Sequence, residues 1–113
     1  MLFNLIKNAL LSIKEASKGE IKIRLEPGKT NNNLTFTDTA LGIAEKELPH
    51  IFDQFGAKKA GTGLGLAFCK MVMHSYGGDI SCASKLGKYA EFTLSFPSSA
   101  NAHKRAIHHK NSM

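Results

Sequence analysis

Gly61-Thr62-Gly63-Leu64-Gly65-Leu66 is the stretch on which the reading of this 113-residue chain turns. Its alternating glycines run straight into Leu64 to Tyr76, whose apolar spacing predicts an amphipathic helix stopped by Gly77-Gly78. A glycine loop feeding a helix lets the backbone approach an anion closely, and the N–H groups of the first turn favour phosphate. No Gly-Lys-Ser/Thr closes it, so it is not a Walker loop, and its glycine spacing misses the dinucleotide fingerprint. By itself it reads equally as a phosphate cradle and as an ordinary flexible loop.

Upstream, Leu2, Leu5, Ile6, Ala9, Leu10, Ile13 and Ala16 keep the spacing of a helix with one buried face, ended by Gly19. Ile21, Ile23 and Leu25 then alternate with Lys22, Arg24 and Glu26, a half-buried strand closed by Pro27-Gly28. Asn31 to Asn33 read as a turn, and Leu34-Thr35-Phe36-Thr37 as a second strand running into Asp38. Ala44 to Phe55 reads as a short helix interrupted at Pro49, followed by a loop from Gly56 to Gly63. Downstream, Asp79 to Ala83 and Glu91 to Phe96 pair as a hairpin about Gly87. The order helix, strand, strand, helix, helix, strand, strand predicts an α+β two-layer sandwich, because the strand connections are too short for parallel crossovers.

Length and an apolar content of 42% fit one domain with a real core, spanning residues 1–97. Residues 98–113 lose all apolar periodicity and are expected to form a basic, disordered tail. The net charge is +6, but Lys104, Arg105 and Lys110 lie in that tail and the other cations are interspersed with acids. A nucleic-acid partner is therefore not expected. Cys69 and Cys82 are too few for a disulfide framework or a structural zinc site and fit a reducing cytosol. Asn4, Lys7 and Asn8 break the leading apolar stretch, so neither a signal peptide nor a membrane span is expected, and the segment reads as cytoplasmic.

Four stretches in order carry a family resemblance. Asn4-Leu5-Ile6-Lys7-Asn8-Ala9-Leu10 resembles the N box of sensor histidine kinases, Asp38-Thr39-Ala40-Leu41-Gly42-Ile43 their first glycine box, Ile51-Phe52-Asp53-Gln54-Phe55 their F box, and Gly61 to Leu66 their second glycine box. The resemblance runs from residue 1 to about Pro97. It implies the Bergerat-type ATP-binding fold shared with DNA gyrase, mismatch-repair ATPases and heat-shock chaperones, a mixed sheet covered by helices on one face. It also implies a strand and helix ahead of the N box. Met1 stands three residues before Asn4, so the domain is expected to be N-terminally truncated.

The resemblance implies ATP and Mg²⁺ as ligands and assigns roles residue by residue. Asn8 matches the asparagine that coordinates Mg²⁺ on the phosphates, for which an amide oxygen is a suitable hard ligand. Asn4 lies one turn earlier on the same helix face. Without the other boxes, both would read as solvated polar residues. Asp38 matches the carboxylate that accepts the adenine amino proton, and Gly42 the glycine that turns the chain beneath the base; the plain alternative for Asp38 is a strand-end turn cap. Ala40 replaces a glycine of the family, and its methyl could narrow the adenine pocket unless its φ is negative. Lys58 and Lys59, with Gly61, Thr62, Gly63, Leu64 and Gly65, fall where lid and loop would meet the phosphates, although solvated lysines fit too. Phe52 and Phe55 match the aromatics that anchor the lid, or simply pack in the core.

Relatives that hydrolyse ATP carry a Glu where this chain has Asn4. An amide is no general base at neutral pH, so the resemblance favours transfer of the γ-phosphoryl group to an acceptor. In the family that acceptor is a histidine on a separate dimerisation domain, with a response regulator downstream. His50, His74, His103, His108 and His109 lack the His-Glu/Asp context of a phosphoacceptor helix, and none is expected to be a metal ligand. The alternative is a catalytically incomplete nucleotide-binding or regulatory interaction module, expected then to be a truncated relic of such a kinase.

Overall fold

A computed structural model describes residues 1–53 and 63–98. Helix α1 (Leu2–Ala16) buries Leu5 and Ala9 and is followed by strands β1 (Ile21–Glu26) and β2 (Asn31–Asp38). A 3-10 turn, Leu48–His50, precedes helix α2 (Gly63–Ser75), and β3 (Asp79–Lys85) and β4 (Tyr89–Pro97) complete the order. The sheet order is β1-β2-β4-β3, with antiparallel pairing of β1 with β2, β2 with β4 and β4 with β3. The expected two-layer sandwich is found, but the four described strands form no mixed sheet. β2 and β3, joined through α2, do run in the same direction; β4 lies between them, so no parallel ladder forms.

Three local expectations are corrected. Asn31 to Asn33 are strand, not turn, because β4 runs on to Pro97 and offers Pro97, Phe96 and Ser95 as partners. Ladder bonding overrides the turn preference of asparagine. Its reversal falls earlier, where Gly28 N–H donates to Asn32 Oδ1 at 3.1 Å. Ala44 to Asp53 form successive turns around the 3-10 segment instead of a helix. Pro49 has no N–H to continue an α ladder. Finally, α1 ends on Ser17 at φ 55, its N–H bonded to Lys14 O, before Gly19 is reached.

Leu5, Phe36, Leu66, Cys69, Met73, Ile80, Phe92 and Leu94 fill the layer between helices and sheet. Full burial of each large apolar side chain contributes about 1.5–3 kcal/mol. The alternating residues of the sheet, such as Thr35, Thr37, Glu91 and Thr93, turn to the other face. On the edge strand the apolar alternation outruns its cover: Ile21 packs on the core, whereas Ile23 and Leu25 are 60% and 69% exposed. Ser98, placed in the tail by sequence, is buried, with N–H on Thr30 O and Oγ on Lys29 O. Residues 99–113 lie outside the described residues.

Candidate nucleotide site

A cavity of about 660 Å³ opens between α1, the end of β2 and the middle of β4. Leu11, Leu41, Ile43, Ile51, Leu66 and Phe92 supply apolar wall, and Asn8, Ser12 and Asp38 bring polar groups into it. Lys14, Glu15 and Glu47 line it as well. Asn8 and Ser12 are one helical turn apart on α1, so both face the same side.

Asp38 closes β2 and is only 6% exposed. Its Oδ1 accepts Ala40 N–H at 3.3 Å and the Ser12 hydroxyl at 3.4 Å. Burial pushes the Asp38 carboxyl above the usual carboxylate range, and these two hydrogen bonds act in the opposite sense. Oδ2 accepts from no donor among the described residues. Ser12 Oγ also accepts Leu41 N–H at 3.0 Å.

The loop after Asp38 is stitched to distant chain. Glu20 N–H donates to Thr39 Oγ1 and Thr39 N–H to Glu20 O. Leu41 O accepts Gly87 N–H, and Ile43 N–H donates to Ser84 Oγ, each at 2.6 Å. Gly42 sits at φ +67, and a Cβ there would overlap Lys85 O. The glycine is therefore needed for close approach to the β3–β4 turn as well as for its dihedral. Ala40, expected to bear on the pocket, does not line it. It is fully buried with its methyl toward Gly19, where an added Cβ would stand 3.0 Å away. The missing volume at Gly19 accommodates the extra methyl at Ala40.

Of the residues singled out by sequence, Asn8, Asp38 and Gly42 meet at one cavity. Asn4 does not line it. Its side chain rests on α2, 3.5 Å from where a Cβ on Gly65 would be. The N box and second glycine box thus touch through Asn4 and Gly65. Gly63 and Leu64 open α2, and Leu66 reaches the cavity wall. Lys58, Lys59, Gly61 and Thr62 lie outside the described residues, as does Phe55.

Phe52 meets Phe92 edge to face, with centroids 6.3 Å apart and planes at 80°. Lys70 Nζ sits 5.0 Å from the Phe52 centroid and pairs with Asp79 at 3.0 Å. The Lys70 hydrogen bond leads in holding the Asp79 carboxyl down at about 2, helped by its own Ile80 N–H. His74 lies 2.9 Å from Asp79, and His50 3.2 Å from Asp53, each in an exposed pair. Ser12 and Ser84 escaped the sequence reading because their partners are 26 and 41 residues away. The only available signal was that Ser12 follows Asn8 by one turn.

Residues 1–100 match the family described as histidine kinase-, DNA gyrase B- and HSP90-like ATPase. The chain belongs to that family. It is 44% identical over 106 residues to the autoinducer 1 sensor kinase/phosphatase LuxN of Vibrio campbellii, which covers 92% of this chain and 12% of that protein. The CAI-1 autoinducer sensor kinase/phosphatase CqsS of Vibrio cholerae is 43% identical over 98 residues, 85% of this chain and 14% of its own. Sensor protein SrrB of Staphylococcus aureus is 38% identical over 104 residues, 86% and 18% respectively. Full-length ShkA, crystallised in complex with AMPPNP, superposes with a TM-score of 0.74 at 27% identity, over 85% of this chain and 20% of that one. The chain spans 12% to 18% of the length of these curated relatives.

Proposed function

We propose that this chain is the ATP-binding catalytic module of a two-component sensor histidine kinase, passing the γ-phosphoryl group to a histidine on a separate dimerisation domain. The carrying observation is Asp38: a carboxylate buried in an apolar cavity, with Oδ1 occupied and Oδ2 open. A buried acceptor is costly unless satisfied, and the exocyclic amino group of adenine supplies the donor. Guanine presents a carbonyl oxygen there and is repelled. Ile43, Leu66 and Phe92 offer the flat apolar surfaces that such a base would lie against.

Asn8 lines the same cavity, and its side-chain oxygen fits a Mg²⁺ ion that keeps most of its ligands from phosphate and water. Among the described residues no three His, Cys, Asp or Glu gather as a ready-made metal site, so the nucleotide would bring the ion with it. That ion supplies charge neutralisation of the phosphates. Lys58, Lys59 and Gly61 to Gly65 would close on the phosphates, and Asn4, set against Gly65, would hold the opening of α2 in place. Neither Asn4 nor Asn8 can activate water, which supports transfer over hydrolysis.

The domain would comprise residues 1–97 together with Ser98, followed by the tail. The sensor kinases it resembles support a place on the cytoplasmic side of a membrane sensor, with a response regulator as eventual recipient. No helix among the described residues is long and apolar enough to cross a membrane. Calorimetric titration with MgATP, followed by incubation of γ-labelled ATP with an added dimerisation domain, tests the proposal. Saturable binding and label on the partner's histidine are expected, with negligible phosphate release by the chain alone. Binding without transfer would favour a regulatory nucleotide-binding module, and a folded chain that ignores MgATP would refute both readings.

A further inference from the structure

Ser12 belongs to none of the four boxes, yet it joins three segments of the site. A hydroxyl has one proton to give and lone pairs to accept with. Leu41 N–H can only donate, and the Asp38 carboxylate, when ionised, can only accept. The bonds therefore run one way, from Leu41 N–H to Ser12 Oγ and from the Ser12 hydroxyl to Asp38 Oδ1. α1, the end of β2 and the following loop are locked together by that single oxygen. Because Ala40 N–H also falls on Oδ1, the carboxyl plane is held by two donors on one oxygen, and the other takes no donor among the described residues.

We propose that Ser12 is the positioning residue of the base pocket: by engaging Oδ1 it fixes which carboxylate oxygen is presented and so sets the preference for a purine bearing an amino donor over one bearing a carbonyl. This rests on the reading of the cavity as a nucleotide site and assigns its specificity to a residue beyond Asp38 itself. Lys14 and Glu15 of α1 and Glu47 line the same cavity, yet none of them hydrogen-bonds Asp38. Across the sheet, Cys82 on β3 is pushed up to about 12, first by burial and further by the charges of Asp38 and Glu91. It therefore stays a neutral thiol. Glu91 of β4 is engaged by the Thr37 hydroxyl at 3.1 Å. Ser12 and Ala40 are thus the donors that favour the ionised Asp38, and only Ser12 does so with a replaceable side chain.

Wild type, Ser12→Ala and Ser12→Thr are compared by MgATP and MgGTP titration from mildly acidic to neutral pH, with thermal melts of each. Ser12→Ala is expected to weaken MgATP about tenfold, the loss of one hydrogen bond to a charged group, and to narrow the ATP over GTP preference. ATP affinity falls as Asp38 takes up a proton, and removing Ser12 favours the protonated form. The acidic limb of the affinity profile should therefore move to higher pH. Ser12→Thr keeps the hydroxyl and should restore affinity, preference and pH profile together. A Ser12→Ala chain that is merely less stable, with unchanged preference and acidic limb, would overturn the proposal, as would a folded Ser12→Thr that restores nothing. Failure of wild type to bind ATP would remove the nucleotide-site reading and this proposal with it. Binding by wild type with an unmoved Ser12→Ala profile would remove this proposal alone.

Discussion

Gly42 leaves no room for a side chain, and Gly42→Ala would act through two independent costs. A non-glycine residue held at φ +67 costs about 1–2 kcal/mol. The new methyl would also overlap Lys85 O, lying 2.9 Å from Lys85 C and 3.0 Å from Leu86 Cα, all backbone atoms that cannot swing aside. Relief requires the loop to lift from the β3–β4 turn, giving up Gly87 N–H to Leu41 O and Ile43 N–H to Ser84 Oγ. Each of these is worth about 0.5–1.5 kcal/mol, and more if the freed group stays buried. The total is about 2–5 kcal/mol, a large share of the roughly 5–15 kcal/mol that holds a domain folded. At about 4–8 °C per kcal/mol for a domain of this size, Tm should drop by at least about 8 °C. Gly87→Ala is the matched control, because Gly87 is at φ +77 but nothing lies within 4 Å of its added Cβ. That substitution should cost only the dihedral, about 1–2 kcal/mol. Melts by circular dichroism with and without MgATP decide the matter. If Gly42→Ala proves no more damaging than Gly87→Ala, close approach to the hairpin is not what the glycine provides.

Asn8→Ala should weaken nucleotide affinity in the presence of Mg²⁺ far more than in its absence, since the lost oxygen serves the ion; equal loss in both titrations would contradict the assignment. Asp38→Asn should bring ATP and GTP affinities together, because the amide can turn a donor toward the guanine carbonyl, and an unchanged ratio in competition titrations would make Asp38 a turn residue only. Asp79, held down at about 2 against an ordinary 3.8, contributes stability that is present above 3.8 and disappears as pH falls toward about 2. The pair is largely exposed, so Asp79→Asn should cost under about 1 kcal/mol at neutral pH, a deficit that closes across that acidic window in urea melts. A deficit that persists below pH 2 would point to packing instead of charge.

The helices and most strands were legible because their signal is local: the periodicity of Leu2 to Ala16 and the alternation of Ile21 to Glu26 each emerge within one element. What misled was chemistry decided elsewhere. Asn31 to Asn33 have turn-forming side chains, and only the length of β4 makes them strand. Ala44 to Asp53 have enough apolar residues for a helix, but Pro49 and the turns about it limit them to a 3-10 segment. In the site, Asn8, Asp38 and Gly42 were found through motif resemblance, and the structure gathers them. Ser12 and Ser84 carry no such mark, because a serine hydroxyl becomes a brace only once its distant partner has arrived. Whether the Ala40 methyl narrows the pocket is decided by its surroundings, and a sequence does not show that Gly19 leaves space for it.

Of the four described strands, the last in chain order is an inner one. β4 sits between β2 and β3 and contributes Ala90 and Phe92 to the cavity wall. A growing chain emerging from a ribosome can pair β1 with β2 early, but β3 has no neighbour until β4 inserts between it and β2. Up to that moment Asp38 faces water instead of an enclosed pocket. Nucleotide affinity should therefore arise in one late step of synthesis, and a series of stalled chains would show no graded gain in ATP retention before residues 89–97 clear the exit tunnel.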